Sequence, residues 1–165
     1  MEELIGDAST VILLAKVTIL RSFAQDSQVT ITPQVKVEVL RKNKLDDAKI
    51  ISALLQEKII AESKNADYQK FMDEFGIGPG EAEGLAVAYQ QKKILATDDW
   101  RAIKACKILG VRFVTAIHCL IYLVKKGKID QKMERAKLKN LENYGRYNTE
   151  IIKDAKTSFE GENHG

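Results

Sequence analysis

Short apolar, β-branched runs alternate along this chain with longer helical patterns. Glu3 to Gly6 predict a strand that Asp7 ends, and Asp7 or Ser9 can cap a helix from about Thr10. "QVTITP" predicts a second strand stopped by Pro33, which then serves as first residue of the helix "QVKVEVLRK", with Thr32 as its cap. "LDDAKIISALLQEKII" predicts a helix with Leu45, Ile50 or Ile51, Leu54 and Leu55 inward. "NADYQKFMDEFGIG" predicts another, capped by Asn65 and ended by Gly76 or Gly78. Pro79 and Gly80 open "EAEGLAVAYQQ", which Gly84, Ala86 and Ala88 keep narrow. The strand "KKILAT", the helix "DDWRAIKACKILG", the strand "VRFVTA" and the apolar helix "IHCLIYLVKKG" follow. Two lysine-rich amphipathic helices close the chain, and "EGENHG" is expected to fray.

This order implies parallel β-α-β units and a three-layer α/β domain with a central parallel sheet. One domain over residues 1–160 is expected, with its core at about 3–115 and C-terminal helices at about 116–160. That length buries a core without disulfides or structural metal. Cys106 and Cys119 lie in apolar helical patterns and read as buried thiols. No signal-peptide pattern opens the chain and no apolar run reaches the roughly 18 residues of a membrane span, so a cytoplasmic location is expected.

In open parallel sheets, ligands bind where the strands' carboxyl ends meet the following helices. Six acids map to that edge. Asp7 ends the first strand, and Asp98 and Asp99 end "KKILAT". Glu81 and Glu83 open a helix, and Glu38 lies early in the helix after the second strand. Each has a plain structural role open to it, as helix cap, dipole partner or surface residue. Glu81 and Glu83, two apart on a helix, point to different sides. Converging carboxylates repel, severalfold more in a partly dry cleft than in water, unless protons or a cation intervene. Hard divalent ions such as Mg²⁺ or Mn²⁺ answer that need and can activate water against a phosphodiester.

The net charge is +3, yet residues 125–139 hold seven Lys/Arg and two Asp/Glu, a local +5, leaving −2 elsewhere. As a helix, that segment aligns Lys128, Lys132, Arg135 and Lys139 in one stripe, with Met133, Ala136 and Tyr144 on another side. The stripe is either a solvated face or a phosphate-contacting patch. His118 reads as a core residue, and Trp100 as packed against the domain, with base stacking the alternative. The glycines of "GIGPGEAEG" do not fit a nucleotide-phosphate loop.

"LIGDASTVILLAK", "VKVEV", "GPGEAEGLAVA" and "ILATDDWRAIKACKILGV" together resemble, in order, the acid-bearing motifs of the PIN-domain nucleases. The resemblance runs from about residue 3 to 115, with helices inserted between the second and third motifs. It implies an α/β/α sandwich and a Mg²⁺- or Mn²⁺-dependent ribonuclease. Its acidic quartet would be Asp7, Glu38, Glu83 and Asp99, with Ser9 as supporting hydroxyl, Glu81 a further candidate from the E-x-E pattern of related flap endonucleases, and Asp98 the fallback for Asp99. Arg101, Lys128, Lys132, Arg135 and Lys139 would hold the RNA backbone. The resemblance also implies homodimers and antitoxin-like partners. This chain exceeds the short toxins of VapBC pairs in its middle helices and basic tail. The rival expectation is a non-catalytic nucleic-acid or protein interaction module on the same fold.

Overall fold

Leu4, Ile5 and Gly6 form the central strand, β1, and alternate in direction as a strand requires. Leu4 packs into one core cluster and Ile5 into another, so both faces of the sheet are covered. The computed structural model describes residues 3–41 and 44–145.

After β1 (Leu4–Gly6) come α1 (Ala8–Lys16), α2 (Leu20–Asp26), β2 (Val29–Ile31), α3 (Pro33–Leu40), α4 (Asp46–Gln56) and β3 (Ile60–Glu62). Then follow α5 (Gln69–Phe75), α6 (Pro79–Gln91), β4 (Ile94–Ala96), α7 (Trp100–Leu109), β5 (Phe113–Val114), α8 (Ala116–Lys125) and α9 (Gln131–Tyr144). The sheet order is β3-β2-β1-β4-β5, and every pairing is parallel. Leu4 pairs with Val29 on one side and with Ile94 on the other. Residues of α1 to α4, α8 and α9 build the core on the Leu4 face; α5, α6 and α7 cover the Ile5 face. The result is a three-layer α/β/α sandwich.

Several boundaries follow the expected chemistry. Asp7, rather than Ser9, caps α1, which starts at Ala8 and not at Thr10. The Thr32 hydroxyl caps α3 with Pro33 in its first turn, and Gly76 and Gly110 end α5 and α7 in the left-handed region. Other expectations fail. The end of "LDDAKIISALLQEKII" is not helical: the chain leaves α4, turns at Lys58 with φ +60°, and enters β3. Leu45 precedes α4 and is 48% exposed, while Ile51 and Leu54 are the buried pair. Asn65 does not cap α5, which begins at Gln69. His118 is an exposed residue, not a core one; its Nδ1 accepts the Thr115 backbone N–H at 3.1 Å. The chain turns between Lys125 and Gln131, with Gly127 at φ +69°, so Lys128 lies outside α9. In α9 the buried residues are Glu134, Leu138 and Leu141, whereas Met133 and Tyr144 are exposed. The second lysine-rich helix and the "EGENHG" tail lie outside the described residues.

Cys106 and Cys119 are free and buried. Burial pushes the Cys106 thiol up to about 12, which leaves it protonated and inert. Among the described residues no single helix is long and apolar enough to cross a membrane. The pair α1 and α2 would pass on length and composition but bends by 118°.

Candidate metal centre

The strand order reverses at β1, whose neighbours β2 and β4 are reached in opposite directions. Such a switch opens a crevice at the strands' carboxyl ends. Asp7 sits in it. Its backbone N–H donates to Ala96 O at 2.8 Å, which ties it to the end of β4. Its Oδ1 accepts the Ala8 N–H at 2.8 Å, and its Oδ2 accepts the hydroxyls of Ser9 at 2.9 Å and Thr97 at 2.7 Å. Despite three donors, this carboxyl is pushed up to about 7. Burial is the largest cause, the Thr97 and Ser9 hydroxyls pull the other way, and the charges of Glu81 and Glu38 add to the rise.

Glu38 is half-buried on α3. Burial raises its carboxyl first, then the Glu81 charge, with Asp99 adding and Arg41 opposing. Asp99 caps α7 by accepting the Ala102 N–H at 2.9 Å, and its own N–H donates to the Thr97 hydroxyl at 3.2 Å. Asp7, Glu38, Glu81 and Asp99 therefore share one electrostatic field. Each comes from a different element: the end of β1, α3, the first turn of α6 and the start of α7.

The glycines of "GPGEAEG" explain how two of these acids fit. A Cβ at Gly80 would collide with Glu38 Oε2, and a Cβ at Gly78 would stand 2.8 Å from Glu81 Oε2. Both carboxylates therefore lie against backbone at the α6 N-terminus, where the helix dipole favours negative charge. Thr97, fully buried, was not among the expected site residues. The signal for it was a hydroxyl between a strand end and an acid pair.

Two of the expected acids are engaged elsewhere. Glu83, 1% exposed, accepts the backbone N–H of Gln34 at 2.9 Å and of Ala66 at 3.2 Å. It stitches α6 to the start of α3 and to the segment before α5. Asp98 accepts the Thr10 hydroxyl at 2.5 Å and the Ala116 N–H at 3.0 Å, which turns it toward α1 and α8. Ser9 bridges the two groups, donating to Asp7 and accepting the Asp98 N–H at 3.0 Å.

Among the described residues no three carboxylate, His or Cys side chains stand close enough to form a ready-made cation site. The four coupled acids share a field rather than a chelate. The donor set nevertheless fits a hard divalent cation: all oxygen, anionic, and partly withdrawn from water. A cation would have to draw these carboxylates closer together than they stand.

The expected RNA-binding residues separate into two groups. Arg101 is exposed beside Asp99, and its guanidinium donates to Gly76 O at 3.2 Å. Lys132, Arg135 and Lys139 are exposed on α9, and Lys128 in the turn before it. The contacts of α9 lead to the far end of α1. Lys137 donates to the Thr18 hydroxyl at 2.6 Å, and Lys16 stands over the Tyr144 ring at 5.7 Å. At 1.5 Å per residue, that end of α1 lies roughly 14 Å from Asp7.

The chain is a parallel sandwich with acids at its switch point, and comparison with known proteins gives its family. The family model DUF3368, described as PIN domain, matches residues 3–159, and the chain belongs to this PIN-domain family. PIN domains are in general a nuclease fold and typically use divalent metals. Among solved structures, PAE2754 from Pyrobaculum aerophilum is similar at 17% identity and TM-score 0.55, covering 76% of this chain and 99% of its own. A PilT N-terminus domain protein, SSO1118 from Sulfolobus solfataricus P2, is similar at 19% identity and TM-score 0.49, covering 72% of this chain and 90% of its own. No curated protein matches the sequence significantly.

Proposed function

We propose that this PIN domain is a Mg²⁺- or Mn²⁺-dependent endoribonuclease whose ligands are Asp7, Glu38, Glu81 and Asp99. The observation that carries the reading is the gathering of four acids from four elements at the strands' carboxyl ends, with Glu38 and Glu81 against Gly80 and Gly78, Asp7 held by Ser9 and Thr97, and Asp99 capping α7; burial and the charges of Glu81 and Glu38 push Asp7 up to about 7. Glu81 takes the place expected for Glu83, whose carboxylate is committed to two backbone N–H groups. A bound divalent ion would supply the charge that activates water and stabilises charge developing on the phosphodiester. The protein's residues hold and orient. Ser9 and Thr97 fix the Asp7 carboxylate, α7 holds Asp99 through Ala102, and the glycines at 78 and 80 seat Glu81 and Glu38.

The test is cleavage of RNA by purified protein with Mn²⁺ or Mg²⁺, beside Asp7→Asn. Cleavage by the wild type alone is expected; equal activity or equal inertness of the two refutes the proposal. A second reading, a non-catalytic interaction module, is favoured by the lack of a ready-made three-ligand group among the described residues. It predicts a melting temperature indifferent to Mn²⁺, whereas a metal centre predicts a rise.

A further inference from the structure

Directly after Asp99, Trp100 opens α7 and is 56% exposed, contrary to the packed position its sequence suggests. A single exposed aromatic is ordinary until its surroundings give it a use. Its surroundings supply one. The ammonium groups of Lys104 and Lys107 each stand 5.9 Å from the Trp100 ring centroid. Arg101 is exposed beside it, and α7 carries no acidic residue. Trp100, Lys104 and Lys107 fall at spacings of four and three and so share one helix face. Helical side chains lean toward the helix N-terminus, so this face leans toward the edge that holds Asp99.

Two ammonium groups held over one exposed ring make the surface attractive to an anion. The ligand chemistry that suits ring and cations together is an unpaired base on the ring, with its flanking phosphates drawing the lysines off the face. A base in a duplex is already stacked and cannot offer its face.

We infer that Trp100, with Lys104 and Lys107, forms a stacking platform that seats an unpaired base beside the candidate metal centre. The inference rests on the nuclease reading for its meaning, but its binding test is independent of cleavage. Trp100 is a binding residue here, not a catalytic one.

The chain has one tryptophan, so its emission reports the contact directly. The full chain is titrated in EDTA with a single-stranded oligoribonucleotide of about ten nucleotides, and with a blunt duplex of the same sequence. The single strand is expected to quench Trp100 and the duplex to leave it nearly unchanged. Trp100→Ala, followed by anisotropy of a labelled strand, is expected to bind about tenfold more weakly or worse, with Trp100→Phe intermediate. Lys104→Ala with Lys107→Ala should flatten the salt dependence of binding. Equal quenching by duplex, or unchanged affinity of Trp100→Ala, overturns the inference. So does a Trp100→Ala change confined to self-association in sedimentation, which would assign this face to a second copy. In Mn²⁺ the variant should lose kcat/KM through KM. Binding that depends on Trp100 without any cleavage would sink only the nuclease reading, and cleavage indifferent to Trp100 only the platform.

Discussion

Replacing Asp7 by Asn separates the electrostatic cost of the site from its other properties. Asp7 moves from an ordinary 3.8 to about 7 on folding. That rise corresponds to about 4 kcal/mol. Because Asp7 is 1% exposed, solvent screening does not discount the figure. The folded state holds a proton between about pH 4 and 7 that the unfolded state has released, so stability falls as pH rises through that window. Above about 7 the whole cost is present. Asn removes the charge, and the opposing pull of the Ser9 and Thr97 bonds is already contained in the value of about 7. In EDTA at pH 8 the variant should therefore be more stable by about 4 kcal/mol, or roughly 8–16 °C for a chain of this length. At pH 5, where only the unfolded Asp7 is ionised, the advantage should shrink to about 1–2 kcal/mol. Taking the difference between proteins cancels groups that shift the opposite way, such as Glu3, which the Lys93 hydrogen bond holds below its usual range. Mn²⁺ at about a hundred times its Kd should then stabilise the wild type by about 2.7 kcal/mol and the variant far less. The assay is a set of thermal or urea melts from pH 5 to 8, with EDTA and with Mn²⁺. A stability difference that does not change with pH refutes the buried, repelled carboxylate.

Three further perturbations distinguish neighbouring residues. Glu83→Gln should cost about 1–3 kcal/mol, because an amide cannot accept from both Gln34 and Ala66 without turning a donor toward one of them, yet its melting response to Mn²⁺ should persist. Glu81→Gln should do the reverse, with little loss of stability in EDTA and loss of the Mn²⁺ response. Gly80→Ala places a methyl on the Glu38 carboxylate. Helix propensity alone would favour Ala by about 1 kcal/mol, so unchanged or higher stability with about tenfold weaker Mn²⁺ binding is expected, read by titration calorimetry.

Much of the element order was legible because local chemistry dictates it. Asp7, Thr32 and Asp99 are capping side chains at strand-to-helix junctions, and Gly76 and Gly110 end helices where a left-handed residue is needed. The boundary missed after α4 has a different cause. Thr18, Lys58 and Lys92 adopt positive φ without being glycine. Thr18 separates α1 from α2, and Lys58 separates α4 from β3. Nothing in those side chains announces the turn; packing and strand pairing pay for it. β3 in particular exists because Ile60, Ala61 and Glu62 find Val29, Thr30 and Ile31 beside them.

The sequence by itself determined which strand ends carry acids, since caps and β-branched runs are short-range signals. Only the tertiary structure decided which acids meet. Glu81 and Glu83 lie about 200° apart around α6. The seating of that helix, with Gly84 against Leu95, leaves one against Gly78 within electrostatic reach of Asp7 and buries the other on backbone N–H groups. The exposure of Trp100 and the distance of the α9 basic face from Asp7 were decided in the same way. Whether a side chain meets its partner depends on how helices are rotated and placed on the sheet, and that is set by contacts between residues far apart in the chain.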